Sequence, residues 1–435
     1  MPTRTKEDYL NMIHSQAQSH FRTQQAAARS KKQARPGINS FSVFISVNVW
    51  GWFYQYLKSR VGKKHPFVDY THSTSNGVFK MVSTSSPDNN DNIKMVLVAD
   101  WATDTPESNK VAALMREQNS DYSIHLGDVY YVGAPQEIHD NFIGPTAPWP
   151  KGRSGSLAIP GNHEYYSNGN PFFRDLLPRM SALRPAGGEP YRQHASFFCL
   201  ENDYWRIIAL DNGYYSVGPL LIEYIIRPDA HLDDKLIAWL QKEFPPNEND
   251  KRGVIIFSHI QYCSAFEPQY PKTAEVLKKI FGDREVIWLW GHEHRFAAYG
   301  KYHSKDGITA YGRCIGHGGM PVEIGKIRFG RECYALPDPK KMKGCPLVCY
   351  DNRKKEIVEK TILGHNGYVI LTLNSNRLTI EYKDSSTWLF REEWEVDGNG
   401  RLSGKARNNP DVALTLVTDS YDDAVSSGHP APASQ

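Results

Sequence analysis

The segment KMVLVAD (94–100) has a construction that recurs four times along the chain, in which a short apolar run ends abruptly in a polar residue. The four later segments are YSIHLGD (122–128), SLAIPGN (156–162), GVIIFSH (253–259) and VIWLWGH (286–292). Each run consists mostly of β-branched or large apolar residues, which is typical of a buried β-strand. The sequence therefore predicts five buried strands.

Segments with a helical pattern lie between these strands. They are NKVAALMREQ (109–118), DDKLIAWLQKEF (233–244) and TAEVLKKIF (273–281). Strands that alternate with helices predict an α/β fold. Further along, GYVILTL (367–373) and RLTIEYKD (377–384) flank a short polar turn, and together they predict a β-hairpin.

A polar residue stands at or just after the carboxyl end of every predicted strand. These residues are Asp100, Asp128, Asn162, His259 and His292. In open α/β sheets, ligands bind beyond the carboxyl ends of the strands. Turn formation explains a single residue of this kind, but five in succession predict a binding site at this edge.

The chemistry of these side chains favours metal ions. Counting the nearby His294 and Tyr131, the set offers two carboxylates, one amide, three imidazoles and a phenol. Oxygen ligands suit hard cations, and imidazole suits zinc, iron and manganese. Asp128 is the natural bridging ligand, because one carboxylate can span two ions. Two ions about 3.5–4 Å apart can clamp a phosphate and generate a hydroxide nucleophile, so the pattern predicts a two-metal phosphoesterase.

Five motifs carry a resemblance to a known family. ADWA (99–102), GDVYY (127–131), GNHE (161–164), FSH (257–259) and GHEH (291–294) resemble the signature blocks of the calcineurin-like metallophosphoesterases. Ala102 stands where most branches have a histidine, and Tyr131 follows Asp128 by three residues, which resembles the purple acid phosphatase branch. The resemblance covers residues 91–395 and implies an α/β/β/α sandwich of four layers, with two mixed sheets face to face.

The resemblance also implies roles for individual residues. One ion, Fe³⁺, would be held by Asp100, Asp128, Tyr131 and His294. A second, divalent ion (Fe, Zn or Mn) would be held by Asp128, Asn162, His259 and His292. The implied reaction is hydrolysis of a phosphate monoester by a metal-bound hydroxide. Asp128 and His163 would be the catalytic residues, with Asn162 and His163 facing the substrate. His163 would act as an electrophile or as a general acid to the leaving oxygen.

Three departures from that branch concern the protein's chemistry and location. Alanines stand at 99 and 102, where the branch usually has glycines. No histidine occurs between His259 and His292, where plant and animal members carry further substrate-facing histidines, so protonation of the leaving group is assigned to His163 or Glu267. The N-terminus lacks the apolar segment of a secretory signal. The chain therefore resembles intracellular, bacterial-type relatives, and we expect it in the cytoplasm.

Several other residues have two possible interpretations. Trp101, after Asp100, is expected either to line the substrate pocket or to pack in the core. His317, in the glycine-rich GHGGM, is a further candidate for substrate binding, because glycines permit close backbone approach. The basic loop around residues 340–343 is expected to be solvated rather than to steer an anionic substrate. We expect all six cysteines to be reduced, with Cys345 and Cys349 as a structural thiol pair.

Composition limits the partners and sets the domain boundaries. The net charge of +3 is too small to predict nucleic acid as a partner, and the most apolar stretch, residues 41–57, is too short and too polar for a membrane span. We predict an N-terminal arm and linker (1–90), a catalytic domain (91–395) and a partly disordered tail (396–435). A small phosphorylated molecule is the expected substrate, and the oligomeric state stays open.

Two alternative functions remain from the sequence. The same site could hydrolyse phosphodiesters, because the choice depends on surrounding loops. A metal-binding scaffold or regulatory protein without turnover is the other alternative, although the complete ligand set argues against it.

Overall fold

The structure is a computed structural model of the chain. It describes residues 62–84, 92–144, 149–185, 187–218, 229–247, 249–303, 306–328, 330–342, 345–358, 360–418 and 421–425. The predicted arm is thus described only in its last part, and the apolar stretch 41–57 lies outside the described residues.

Two nine-stranded mixed sheets form the body of the protein. In spatial order, the strands of the first sheet are β1 (Val78–Lys80), β7 (Phe198–Glu201), β8 (Trp205–Ala209), β9 (Gly253–Ser258), β10 (Glu285–Trp290), β12 (Thr309–Ile315), β11 (Phe296–Tyr302), β15 (Leu347–Tyr350) and β22 (Thr415–Leu416). Those of the second sheet are β21 (Leu402–Asn408), β20 (Trp388–Val396), β19 (Arg377–Asp384), β18 (Gly367–Asn374), β2 (Asn92–Val98), β3 (Tyr122–His125), β4 (Gly155–Ala158), β5 (Ser181–Ala182) and β6 (Tyr191–Arg192).

A third, small sheet and several helices complete the architecture. The small sheet consists of β14 (Arg331–Tyr334), β13 (Glu323–Arg328), β17 (Thr361–Leu363) and β16 (Glu356–Val358). The α-helices are α1 (Pro106–Glu117), α2 (Pro135–Ile138), α3 (Asn162–Tyr165), α4 (Asp234–Glu243), α5 (Lys272–Phe281) and α6 (Pro339–Met342). Short π-helical turns span His139–Ile143 and Phe172–Leu176, and 3₁₀ turns span Leu177–Arg179 and Tyr421–Ala424.

Local sequence explains where the first long helix begins. The hydroxyl of Thr105 accepts a hydrogen bond from the backbone N–H of Ser108, and the Ser108 hydroxyl oxygen accepts one from the N–H of Thr105. This reciprocal capping satisfies two backbone donors, and Pro106 suits the first helical position. The helix therefore begins three residues before the predicted segment.

The two large sheets pack face to face through large side chains. The ring of Tyr311 on β12 lies 4.8 Å from that of Trp394 on β20. The ring of Phe296 on β11 lies 4.9 Å from that of Tyr382 on β19. With helices outside the sheets, this confirms the predicted four-layer α/β/β/α fold.

The predicted strands, helices and hairpin are all present, with shifts of a few residues at their ends. Parts of the chain outside the predicted catalytic domain also enter the sheets. Within the predicted arm, β1 pairs in parallel with β7. Within the predicted tail, β21 pairs with β20, and β22 pairs with β15. Among the described residues, no helix has both the length and the apolar character needed to cross a membrane.

One cysteine expectation is wrong. Cys263 and Cys345, which are 82 residues apart in sequence, form a disulfide with a Cα–Cα distance of 5.8 Å. Cys345 is therefore not paired with Cys349, which is a buried free thiol like Cys199 and Cys314. The pair could not be predicted from the sequence separation, because it depends on long-range contacts: Asp338 and Lys341 donate to the carbonyls of Ala265 and Phe266, close to Cys263.

An ion pair between the two large sheets lies in the core. Arg313 on β12 donates from Nε to Glu392 Oε1 on β20 at 2.5 Å, and both side chains are fully buried. Arg313 also donates to the carbonyl of Ala424 at 2.8 Å, and Trp394 Nε1 donates to Glu392 Oε2 at 2.9 Å. Buried charges are tolerated when they are paired and hydrogen-bonded in this way.

We expect Glu392→Gln to lower the free energy of unfolding by about 3–5 kcal/mol, because it leaves the buried Arg313 charge without its partner. Urea denaturation measures this difference. Glu381→Gln is the matched control, because Glu381 on β19 faces Arg391 on the neighbouring strand β20 in a partly exposed ion pair, where a loss of less than about 1 kcal/mol is expected. Equal effects of the two substitutions would contradict the role assigned to the buried pair.

Candidate metal centre

The carboxyl ends of five strands converge on one region. In the second sheet, β2, β3 and β4 are parallel neighbours, and in the first sheet β9 and β10 are parallel neighbours. Asp100, Asp128 and Asn162 follow the first three strands, and His259 and His292 follow the other two. The region is thus assembled from both sheets.

Three of these residues have a strained backbone. Asp100, Asp128 and His292 have φ angles of 55°, 71° and 67°. The left-handed region is unfavourable for residues other than glycine, and such conformations cost about 1–3 kcal/mol each and cluster at functional sites. Their occurrence at three strand ends indicates that the surrounding structure holds these side chains in fixed directions.

Four side chains form a first cluster. The Oδ2 atom of Asp128 lies 3.2 Å from His259 Nε2. The Oδ1 atom of Asn162 lies 3.2 Å from His259 Nε2 and 2.8 Å from His292 Nδ1. Ligand atoms of Asp128, His259 and His292 all lie within 4.8 Å of one another. One cation can therefore be reached by all four residues.

A second cluster shares Asp128 with the first. The Tyr130 hydroxyl lies 2.7 Å from Asp100 Oδ1, 3.2 Å from Asp128 Oδ2 and 3.0 Å from His294 Nε2. His294 Nε2 is itself 3.5 Å from Asp100 Oδ1. The Oδ2 atom of Asp128 therefore belongs to both clusters, as a bridging carboxylate requires.

The phenol in this second cluster belongs to Tyr130, whereas the sequence prediction names Tyr131. Both tyrosine side chains lie in a buried apolar cluster with Met320, Val358 and Leu363. The Tyr130 hydroxyl contacts Asp100 and His294, whereas Tyr131 contacts His163 Nδ1 through its carbonyl. Sequence reasoning did not select Tyr130, because adjacent tyrosines carry the same chemistry and only the backbone path distinguishes their directions.

Backbone and carbonyl contacts orient the candidate ligands. Glu164 accepts hydrogen bonds from the backbone N–H groups of Asp128 at 3.1 Å, Val129 at 2.7 Å and Gly161 at 2.7 Å. His259 Nδ1 lies 2.8 Å from the carbonyl of Leu126. Because a carbonyl only accepts, this contact places the proton on Nδ1 and leaves Nε2 able to bind a cation. Sequence reasoning assigned no role to Glu164, although it is the last residue of GNHE.

Burial and charge act in opposite directions on the pKa values at this site. Burial alone lowers the pKa of His259, but the charge and hydrogen bond of Asp128, together with the Asp100 charge and the Leu126 carbonyl, outweigh it and raise this pKa to about 10. Burial alone raises the pKa of Asp128, but His163 and His259 outweigh it and lower this pKa. Metal ligands bind in their deprotonated forms, so a cation between Asp128 and His259 would replace the proton on Nε2.

His163 lies against the shared carboxylate. Its backbone N–H donates to Asp128 Oδ1 at 2.9 Å, and its Nε2 atom is 3.7 Å from Asp128 Oδ2. Burial lowers the pKa of His163 despite the nearby Asp128 charge. The His163 ring therefore lies beside the carboxylate that the two clusters share.

Two other predicted substrate contacts lie deeper in the protein. Trp101 is fully buried and donates from Nε1 to the Ser108 carbonyl at 2.7 Å, and its ring packs on Phe142 and Trp149. The buried ring of His317 lies 6.1 Å from that of Phe296. Among the described contacts, neither side chain touches the two clusters, and Trp101 has the core-packing role that the sequence left open.

The chemistry of the two clusters fits a pair of cations. Together they offer two carboxylates, an amide oxygen, three imidazoles and a phenol, which suit iron, zinc or manganese. The near contacts between Asp128, His259 and Asn162 leave donor atoms turned toward a common centre. The residues present therefore fit the predicted metal centre.

Comparison with known proteins gives one family. Residues 93–296 match the family model described as calcineurin-like phosphoesterase. No curated protein matches the chain.

Solved structures give distant likenesses. A purple acid phosphatase from yellow lupin (Lupinus luteus) seeds has 14% sequence identity and a TM-score of 0.37, with 68% of this chain and 52% of that chain covered. GAP50 of Plasmodium, an anchor in the inner membrane complex, has 11% identity and a TM-score of 0.43, with 70% and 89% covered. A dimetal phosphatase from Danio rerio has 12% identity and a TM-score of 0.38, with 68% and 98% covered. The chain spans about half of the lupin protein. At these identities the three structures are similar to this chain in fold alone.

We expect Gly161→Ala to abolish metal binding while the protein stays folded. A Cβ at position 161 would collide with Asp128 Oδ1 and would approach His259 Nε2 to 2.6 Å. Metal content after dialysis, measured by plasma emission, checks the loss, and circular dichroism checks the fold. Gly398→Ala is the matched control, because a Cβ there meets nothing within 4 Å. Full metal content in Gly161→Ala would show that the two clusters do not form the metal centre.

Proposed function

We propose that this chain, which belongs through residues 93–296 to the calcineurin-like phosphoesterases, is a metal-dependent hydrolase that acts on phosphate monoesters. The family match confirms the resemblance predicted from the five motifs. The main support for this proposal is that Asp128 Oδ2 contacts side chains of both clusters. Asp128 could therefore act as the bridging carboxylate of a two-cation site.

The two clusters support an assignment of ligands to each cation. Asp100, Asp128, His294 and a phenol would hold Fe³⁺, and Asp128, Asn162, His259 and His292 would hold Fe²⁺, Zn²⁺ or Mn²⁺. When bound, the two cations would neutralise charge on the phosphoryl oxygens and lower the pKa of a water molecule. The distances from Tyr130 to Asp100 and His294 favour Tyr130 as the phenol.

His163 is the residue we assign to proton transfer. Its Nδ1 atom contacts the carbonyl of Tyr131, so Nδ1 carries the proton of the neutral ring. The Nε2 atom can then take up a second proton near Asp128 and deliver it to the leaving oxygen. General acid catalysis of this kind contributes about 10²–10⁴-fold.

We expect hydrolysis of an aryl phosphate monoester by protein supplied with iron, zinc or manganese, at a rate above that of the matching diester. Asp128→Asn should remove this turnover, because one substitution weakens both clusters. Release of the coloured phenol measures the rate. Faster diester hydrolysis would favour a phosphodiesterase, and metal-loaded protein without turnover on either ester would favour a binding protein.

A visible absorption band distinguishes the two tyrosines. A phenolate bound to Fe³⁺ gives a charge-transfer band, so we expect Tyr130→Phe to remove the band of iron-loaded protein and Tyr131→Phe to keep it. Iron content is measured on the same samples, so that loss of the band is not loss of iron. Loss of the band only in Tyr131→Phe would return the assignment to the residue that the sequence motif names.

A further inference from the structure

We propose that Tyr166 is a positioning residue that holds the Asn162 amide in place for binding the divalent cation. The inference rests on the proposed metal centre and adds a residue that lies outside the predicted ligand set. It concerns the phenol oxygen of Tyr166, and not the packing of its ring.

The short helix α3 sets the relation between the two residues. Tyr166 follows Asn162 by four positions, and its backbone N–H donates to the Asn162 carbonyl at 3.1 Å. Residues four apart lie on the same side of a helix. The Nδ2 atom of Asn162 donates to the Tyr166 hydroxyl oxygen at 3.2 Å, so the phenol contacts the end of the amide that a cation cannot use.

The other end of the same amide faces the candidate ligands. The Oδ1 atom lies 2.8 Å from His292 Nδ1 and 3.2 Å from His259 Nε2. Only this oxygen can bind a cation, because an amide nitrogen is a donor. Each end of the amide therefore has its own partner, and the contact with Tyr166 fixes the amide plane in the direction that points Oδ1 at the two histidines.

Because Asn162 is buried, its hydrogen bond to the Tyr166 hydroxyl is expected to affect cation binding. Asn162 is only 4% exposed, so without the phenol its Nδ2 group has little water to replace the lost acceptor. Partners of this kind orient a ligand, and their loss typically weakens metal binding on the order of 10–100-fold.

Tyr166→Phe is the sharp test, because it removes one oxygen and keeps the ring, which lies 4.9 Å from the His163 ring. We expect the Kd for Mn²⁺, measured by the electron paramagnetic resonance signal of free ion, to rise on the order of 10–100-fold. Tyr215→Phe is the matched control, because its hydroxyl donates to Asp233 at 2.7 Å outside the two clusters, and its Kd should stay unchanged.

A double-mutant cycle shows whether the hydroxyl acts through the amide. In an Asn162→Ala background, Tyr166→Phe should change the Mn²⁺ affinity less than about 2-fold, because the group that it positions is gone. The same loss with and without Asn162 would overturn the inference, since Tyr166 would then act by another route.

The outcomes separate this inference from the metal centre itself. Wild-type protein that binds no Mn²⁺ would overturn both. Wild-type binding together with an unchanged Kd in Tyr166→Phe would overturn only the role of Tyr166. Circular dichroism and thermal unfolding of each variant confirm that a change in Kd does not come from unfolding.

Discussion

The buried carboxylate of Asp128 is the constraint on which the site depends. A carboxylate out of contact with water is costly unless hydrogen bonds and positive charge compensate it. The chain supplies the His163 backbone N–H, the Tyr130 hydroxyl and the His259 ring around its two oxygens. Of these groups, the His259 ring is the one that can carry a positive charge, and it does so only when Nε2 is protonated. The compensation is therefore completed by a proton or by a cation, and the surrounding imidazoles and carboxylate suit the cation.

This arrangement requires both sheets to keep a fixed relative position. Asp100 and Asp128 come from the second sheet, whereas His259 and His292 come from the first. A small shift between the sheets would separate Asp128 from His259, which are 3.2 Å apart. The interlocked aromatic rings and the buried charge pair of the core oppose such a shift. The packing of the core thus also maintains the distances between the side chains of the proposed metal centre.

The sequence predicted the elements whose pattern is local. The strands that end at the site are continuous apolar runs, and α1, α4 and α5 have helical periodicity, so each was recognisable without its neighbours. The small sheet was not predicted, because its strands are short and mix polar with apolar residues. Residues 402–408 were assigned to a tail, because β21 is strongly polar and acquires its strand pairing only from β20.

Long-range contacts and side-chain directions are the features of the site that could not be predicted from the sequence. The residues at the strand ends were named correctly as neighbours, because parallel strands bring their carboxyl ends together. The disulfide of Cys263 depends on how two loops pack, which no local pattern shows. The choice between Tyr130 and Tyr131 depends on a single change of direction in the backbone. Features of this kind can be identified only from the three-dimensional structure.

The helical turn at residues 162–166 directs adjacent side chains to different parts of the site. Successive side chains of an α-helix point about 100° apart, so neighbours in sequence reach different parts of the site. Asn162 faces the histidines, Glu164 holds the loop that carries Asp128, and Tyr165 donates to the buried Asp211. One turn of helix therefore connects the proposed metal centre, the loop that carries Asp128 and the protein core. A substitution that unwinds this turn would therefore disturb all three together.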